Sequence, residues 1–237
     1  MKKCIFAILI CSLLWGCKQQ KKQYLPDSVG SINSLTIVMD PQLWNGIVGD
    51  SLRNYFASPV EEIAGAREPI FDIQQIPEDV FQGMARAGRN ILVVSTDHKN
   101  RFHIKDSLYA KGQKVAFLTG QTTDDLISEI QQYAPVIILS FKENEMREVE
   151  NRFKQTLNKT KAIEERLGIQ LTFPSLYHIV KQEGDFFWLE RKVKNGTADI
   201  LIYEMPKGKI CSSDKDCTSA IIQMRDSIGK RYIPGPE

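Results

Sequence analysis

The chain lacks any apolar run that is long enough to cross a bilayer. A membrane-spanning helix needs about 20 apolar residues. The uncharged apolar stretch at residues 4–14 has eleven, and no longer run follows it. That length fits the apolar region of a secretory signal. Stable attachment to a membrane would therefore need an anchor other than a spanning helix.

No excess of one charge sign remains in the body of the chain. The 31 Lys and Arg residues exceed the 29 Asp and Glu residues by two, and Lys2 and Lys3 account for this difference. A nucleic-acid-binding domain would gather a basic excess on one face. We therefore expect no nucleic-acid partner. The apolar share of 42% is ordinary for a globular domain.

Two lysines and the apolar stretch are followed by Gly16 and Cys17. A small residue directly before a cysteine, after a short apolar run, resembles a bacterial lipoprotein signal. This resemblance implies that residues 1–16 are removed and that the Cys17 sulfur carries a diacylglyceryl group. An ordinary cleaved signal and an uncleaved anchor are alternatives, and the bulky Trp15 departs from the lipoprotein pattern.

Residues 17–30 are expected to form the lipidated N-terminus and a flexible tether, because residues 18–23 are all polar. The three lysines among them would each favour an anionic membrane surface by ~1 kcal/mol. No acidic residue directly follows Cys17. Acidic residues there accompany surface display in Bacteroidetes-type lipoproteins, so we expect an outer-membrane location in the cell envelope, facing the periplasm.

Cysteine is scarce in the rest of the chain, where Cys211 and Cys217 are the only two. Export places them in an oxidising compartment, so we predict a disulfide between them. The short loop that it closes would stabilise the fold by about 2 kcal/mol. The spacing does not match the Cys-x-x-Cys of redox enzymes, and no second pair or neighbouring histidine indicates zinc.

The N-terminal half, residues 31–159, is predicted to alternate strands and helices. Apolar runs and periodic apolar positions predict strands at 35–39, 70–73, 90–96 and 114–118 and helices at 41–56, 78–87, 122–133 and 135–157. Residues 136–139 could instead be a strand, and the polar residues 97–106 are predicted to form a loop. The last helix would have a solvated face that includes Lys142 and Glu145, and an apolar stripe of Leu139, Met146, Val149, Phe153 and Leu157.

The C-terminal half, residues 160–237, is predicted to begin with a helical turn and then change to strands at 169–173, 177–180, 186–189 and 198–203. Asn195-Gly196 is a two-residue hairpin signal, and residues 221–228 predict a last helix. Together the halves predict an α+β fold, with helices packed on a mixed or mostly antiparallel sheet. No closing element precedes Glu237, so the chain is expected to continue.

Five phrases stand in order along the chain, at 25–30 (LPDSVG), 68–72 (EPIFD), 89–92 (RNIL), 186–191 (FFWLER) and 225–236 (RDSIGKRYIPGP). In this order they resemble an uncharacterised family of Bacteroidetes lipoproteins known as domain of unknown function 4837, over nearly the whole exported chain. The resemblance implies a lipoprotein that continues beyond Glu237. It implies no activity, cofactor or catalytic residue, and Cys211 and Cys217 are not part of the family pattern.

Potential metal ligands gather at Asp97, His98, His103 and Asp106. The five-residue spacing of the two histidines matches no recognised zinc pattern, so we interpret the group as part of a solvated loop and predict no metal.

Other reactive or aromatic side chains have simpler interpretations. His178 is interpreted as a packed or edge-exposed strand residue. Residues 212–215 (SSDK) match the Ser-x-x-Lys string of serine acyl-enzymes, but they lie inside the predicted disulfide loop without a partner motif. Trp44 and Trp188 could line a ligand groove, although aromatic residues in such patterns usually pack in cores.

No motif for catalysis accompanies the predicted anchor. Gly-x-Ser-x-Gly, a phosphate-binding glycine loop and His-Glu-x-x-His are all missing from the sequence. The sequence therefore predicts a lipid-anchored, non-catalytic envelope protein that binds or helps to assemble another envelope component, without a cofactor. An envelope hydrolase with a dispersed active site and a carrier of a hydrophobic ligand are alternatives. An exposed apolar patch would favour binding of a protein partner. A deep apolar cavity would favour the carrier, and carboxylates that converge in a polar cleft would favour the hydrolase.

Overall fold

The computed structural model describes residues 24–60, 68–194, 196–208 and 217–233. The chain divides into two compact units, Met1–Val149 and Glu150–Glu237. The predicted signal peptide and Cys17 lie outside the described residues, so the lipid anchor stays a prediction.

The first unit is built on a five-stranded sheet. Its strands are β1 (Ser34–Val38), β2 (Asp72–Ile76), β3 (Asn90–Thr96), β4 (Arg101–Asp106) and β5 (Lys114–Gly120). They stand in the order β2-β1-β3-β5-β4. The pairings among β2, β1, β3 and β5 are parallel, and the edge strand β4 is antiparallel to β5. The inner strands are rich in apolar residues because a parallel sheet is covered on both faces.

The predicted helix over 41–56 is wrong in one respect, because the chain forms two helices there. They are α1 (Pro41–Trp44) and α2 (Ile47–Phe56). The backbone turns back so closely that a Cβ atom on Gly49 would lie 1.8 Å from the carbonyl oxygen of Trp44. Only glycine permits this approach, and the turn that it requires interrupts the helix.

One face of the sheet is covered by α2 and by α3 (Thr123–Gln155). The core between them contains alternate strand residues and the apolar faces of both helices, including Leu35, Ile37, Leu92, Leu118, Leu52, Phe56, Ile130 and Phe141. A reciprocal pair of hydrogen bonds caps the start of α3. Thr122 Oγ1 accepts a hydrogen bond from Asp125 N, and Asp125 Oδ2 accepts one from Thr122 N. The hydrogen bond from the Thr122 side chain is the main reason that the pKa of Asp125 is lowered.

The opposite face is covered by the connection from β2 to β3. This connection contains two short 3-10 turns, Glu78–Val80 and Gly83–Ala87, where the sequence predicted one α-helix. Gly83 has a φ of +56°, which a continuous right-handed helix does not allow. Phe81, between the turns, shares a buried cluster with Ile91 and Val115 of the sheet.

Three expectations about residues 97–157 are corrected. The predicted loop over 97–106 contains strand β4. Its side chains alternate, so that Phe102 and Ile104 pack against the core while Arg101, His103 and Lys105 are exposed. Helix α3 runs through Pro135 without a break, so the strand alternative at 136–139 is wrong. The predicted apolar stripe is largely exposed, and Glu145 of the predicted solvated face is only 2% exposed. The reason is that a different face of α3 is buried, the one that carries Leu126, Ile130, Ala134, Ile137 and Phe141.

The second unit contains an antiparallel sheet with the order β6-β7-β8. Its strands are β6 (His178–Glu183), β7 (Phe186–Val193) and β8 (Gly196–Ile202), and its helices are α4 (Ala162–Leu167) and α5 (Cys217–Tyr232). The predicted hairpin is confirmed, but Gly196 is not a turn residue, because it begins β8 and pairs with Val193. The predicted strand at 169–173 is wrong. Residues 169–173 pair with no strand in the described part of the chain, and Phe173 alone among them is buried.

The predicted α+β fold class is confirmed, with a mixed sheet in the first unit and an antiparallel sheet in the second. Within the described ranges, no helix has the length and apolar content that crossing a membrane would require.

Candidate functional site

A cleft of about 550 Å³ opens at the carboxyl ends of the parallel strands in the first unit. After β1 the chain crosses one face of the sheet to β2, and after β2 it crosses the other face to β3, on the far side of β1. The strand order therefore reverses between β1 and β3. In open α/β sheets, ligands bind outside the carboxyl ends of the strands at such a reversal. The cleft lies at this point.

Each wall of the cleft comes from the end of a different strand. The segment after β1 supplies Asp40, Pro41 and Leu43, the segment after β2 supplies Pro77, Glu78 and Asp79, and the end of β3 supplies Ser95 and Thr96. Asp40 is held in place because its Oδ1 accepts a hydrogen bond from Gln42 N at 2.7 Å and caps α1. The lining is therefore set by strand ends and a helix cap rather than by a long loop.

The cleft offers mainly hydrogen-bond acceptors. Asp40, Glu78 and Asp79 contribute carboxylates, and none of them forms an ion pair within the part of the chain that the structure describes. Ser95 and Thr96 add hydroxyl groups that can both donate and accept. This chemistry suits a polar ligand that carries amino or hydroxyl donors.

A buried ionic network occupies the opposite, amino edge of the same sheet. Glu145 on α3 accepts hydrogen bonds from Arg89 Nε at 2.7 Å and from Arg89 Nη2 at 3.1 Å. Arg89 is 1% exposed and also donates to the carbonyl oxygen of Ser31 at 2.7 Å. Asn90 Nδ2 donates to Glu145, and so does the backbone N–H of Asn33 at 2.8 Å. The network therefore ties α3 to the starts of β1 and β3.

Lys142 extends this network toward β2. Its Nζ donates to Asn33 Oδ1 at 2.9 Å and to the carbonyl oxygen of Ile70 at 2.6 Å, and it lies 4.6 Å from the centroid of the Phe71 ring. Burial lowers the pKa of Lys142, and the charge on Glu145 opposes this effect. Arg89 Nη1 forms no hydrogen bond within the described residues and lies 3.8 Å from Glu148 Oε1. The other donors named here bind acceptors of the protein, so the network holds elements together.

The sequence reasoning missed this network. It assigned Glu145 and Lys142 to a solvated helix face, because charged residues surround them on α3. A signal existed in the pair Arg89-Asn90, two polar residues directly before the apolar strand β3. An arginine at the start of a buried strand needs a buried partner, but the sequence alone does not say which carboxylate supplies it.

The potential metal ligands do not converge. Asp97 and His98 follow β3, and Asp97 Oδ2 lies 3.8 Å from Arg101 Nη2. His103 stacks on Phe117 with 4.7 Å between ring centroids, and Asp106 pairs with Lys114 Nζ at 3.0 Å. In the residues that the structure describes, no group of three His, Cys, Asp or Glu side chains could hold a metal. The interpretation of 101–106 as a loop is wrong, since His103 and Asp106 belong to a strand.

The other singled-out residues are dispersed. His178 opens β6 and is exposed, and Cys217 opens α5. Trp44 lies 4.6 Å below the Arg53 guanidinium, and Trp188 Nε1 donates to Asp199 Oδ1. Cys211 and residues 212–215 lie outside the described residues, so the disulfide stays a prediction.

Comparison with known proteins gives two family matches. Residues 28–154 match the family described as Domain of unknown function (DUF8532), and residues 156–237 match Domain of unknown function (DUF4837). The second match confirms the resemblance to domain of unknown function 4837 for residues 156–237, and the attribution to Bacteroidetes lipoproteins stays a prediction. Its predicted extension over nearly the whole exported chain is wrong, because the phrases at 68–72 and 89–92 fall within the first match.

No curated protein and no solved structure matches the chain. The first family covers more than half of the 237 residues, including the whole five-stranded sheet, the cleft and the ionic network. The chain therefore belongs to the family described as Domain of unknown function (DUF8532), whose description assigns no molecular function.

Proposed function

We propose that this chain is a lipid-anchored protein of the cell envelope that binds a polar envelope component in the cleft at the carboxyl edge of its first sheet. The single observation that carries the binding role is the position of the cleft at the strand-order reversal, with a lining of carboxylates and hydroxyls. The envelope location rests on the sequence at Gly16-Cys17.

The lining indicates the chemistry of the ligand. Carboxylates without a protein cation are stabilised by a ligand that brings amino groups or several hydroxyl groups. Leu43, Pro41 and Pro77 supply an apolar part of the same lining, against which the carbon skeleton of such a ligand can pack. A sugar or a peptide segment with a free amine has both properties.

A hydrolase is the second candidate, and one observation favours it. Three carboxylates, Asp40, Glu78 and Asp79, share one polar cleft, and pairs of carboxylates can serve as acid and base or nucleophile in glycoside hydrolysis. The proposed binding role differs from this candidate in one measurable respect, because a binding protein returns its ligand unchanged.

Site-specific photo-crosslinking in intact cells tests the binding role and does not require the ligand to be identified first. A benzophenone amino acid would replace Thr96, which is exposed in the cleft, and in a matched variant Gln131, which is exposed on α3. We expect an adduct from position 96 that position 131 does not give. Adding Glu78→Gln and Asp79→Asn should remove the adduct.

Identical adducts from both positions, or an adduct that survives the two substitutions, would contradict ligand binding in the cleft. Mass spectrometry of the adduct separates the two candidates. An intact envelope component supports binding, and a cleaved fragment supports the hydrolase.

A further inference from the structure

Strand β4 presents cations and an aromatic stack on the face of the sheet that α3 does not cover. Arg101, His103 and Lys105 alternate with Phe102 and Ile104 along the strand, and Phe102 and Ile104 pack into the helix-covered core. The other three side chains are exposed and point to the opposite face. With Phe117, which the His103 ring stacks on, we call these residues the β4 face.

The β4 face combines positive charge with a half-buried aromatic ring. Lys105 Nζ lies 5.8 Å from the centroid of the Phe117 ring and forms no ion pair within the described residues. Arg101 lies 3.8 Å from Asp97, and both side chains are more than a third exposed, so water screens this pair. Burial, followed by the charges on Lys105 and Arg101, lowers the pKa of His103. The potential at this face is therefore positive.

The start of the described chain lies beside the loop that joins β4 to β5. Ser28 N donates to the carbonyl oxygen of Lys111 at 3.0 Å, and Lys111 N donates to that of Pro26 at 2.8 Å. Lys111 Nζ also lies 5.5 Å from the Tyr24 ring centroid. The chain segment that leads back to Cys17 thus leaves the first unit next to the loop that follows β4.

This segment is short. Tyr24 is seven residues after Cys17, and a fully extended chain spans about 3.5 Å per residue, so the two are at most ~25 Å apart. Three of the intervening residues are lysines, and none is acidic. A lipid on Cys17 would therefore hold the β4 face within reach of the bilayer surface, at the end of a cationic tether.

We propose that the β4 face lies on the membrane that holds the anchor and binds the phosphate groups of its anionic lipids. This inference rests on the proposed lipid anchor, since the anchor brings the face to the bilayer. Arg101 and Lys105 supply the charge, and the stacked His103 and Phe117 rings suit the boundary between headgroups and acyl chains, where amphipathic aromatic side chains concentrate. Contact on this face would leave the cleft at the carboxyl edge open to a ligand.

Vesicle binding by the chain from residue 17 with Cys17→Ser tests the β4 face separately from the anchor, because this chain carries no lipid. The vesicles are phosphatidylcholine with or without phosphatidylglycerol. Each cation near an anionic surface is worth about fivefold in binding. We therefore expect Arg101→Gln with Lys105→Gln to weaken binding to anionic vesicles by about 25-fold. Added salt should weaken the binding of the parent chain as well.

The matched control is Lys161→Gln with Lys207→Gln, which removes the same charge from two exposed positions in the second unit. This control should change binding to anionic vesicles less than about twofold, because the attraction of a cation to the surface falls off within a Debye length. Equal loss in both double variants, with unchanged circular dichroism and melting temperature, would overturn the proposal.

Inorganic phosphate, titrated in place of vesicles, separates a membrane from a soluble phosphate ligand. Saturable phosphate binding that the β4 substitutions abolish, without preference for anionic vesicles, would also overturn the proposal. Neither result bears on the proposed lipid anchor at Cys17, because that proposal is tested separately by the processing and membrane fractionation of the full chain.

Discussion

Glu145 lies among exposed charged residues on α3, yet it is only 2% exposed. Its carboxylate accepts four hydrogen bonds, two from Arg89, one from Asn90 and one from the backbone of Asn33. Two opposite charges in a buried site are tolerable only when both are paired and hydrogen-bonded. The sequence shows the charges but not the pairing, because Arg89 and Glu145 are 56 residues apart.

Replacing Glu145 with Gln should destabilise the protein strongly. The substitution keeps the side-chain shape but removes the hydrogen-bonded countercharge of the buried Arg89, which keeps only the partly exposed Glu148 carboxylate at 3.8 Å. Removing one partner of a buried ion pair typically costs about 3–5 kcal/mol. Urea denaturation measures this as a fall in the free energy of unfolding. Glu143→Gln, at an exposed position two residues away, is the control and should stay within about 0.5 kcal/mol of the parent. Equal stability of the two variants would contradict a clamping role for Glu145.

Helix α3 and strand β4 show where local patterns succeed and fail at the scale of elements. The cap at Thr122 and Asp125 follows from residue types at a fixed spacing, so it could be predicted. The buried face of α3 could not be predicted, because apolar residues lie on both sides of the helix. Packing against the sheet determines which side is buried. The sequence did not predict β4, because Arg101, His103 and Lys105 on its exposed face give a polar pattern that is typical of a loop.

Pro135 inside α3 predicts a gain in stability on substitution. Proline removes a helical hydrogen bond and crowds the preceding turn, at a cost of about 3 kcal/mol relative to alanine in a helix interior. Pro135 is exposed, so Pro135→Ala removes little packing and should raise the free energy of unfolding by about 1–3 kcal/mol. Gln132→Ala, on the same exposed side, should change it by less than about 0.5 kcal/mol. A gain no larger than that of the control would refute the prediction.

At the scale of the whole molecule, the sequence indicates most strands but not their order. Apolar runs predicted β1, β3 and β5, and Asn195-Gly196 predicted the β7–β8 hairpin. The order β2-β1-β3-β5-β4 depends on which face each connection crosses, and residue patterns do not encode this directly. The cleft was missed for the same reason, since its lining comes from the ends of three strands that are far apart in sequence.

Attachment of the whole chain to a membrane depends on a single sulfur atom in our proposal. Cys17→Ser should prevent attachment of the lipid, so the protein should lack the added mass of the lipid and should leave the membrane fraction. Residues 1–16 should no longer be cleaved by the lipoprotein route. Metabolic labelling with a fatty acid and fractionation of whole cells measure these changes. Ser12→Ala, also within the signal, is the control and should be labelled like the parent. Unchanged labelling of Cys17→Ser would rule out the lipid anchor.

The ionic network and the cleft occupy opposite edges of one sheet and have no residue in common. A substitution at Glu78 or Asp79 therefore leaves the Arg89–Glu145 pair intact, and a change of ligand preference need not weaken the fold. Members of a family built in this way are free to diverge in what they recognise while keeping one scaffold. The cleft should accordingly be the most variable part of the sheet among relatives, and the pair at the other edge the most constant.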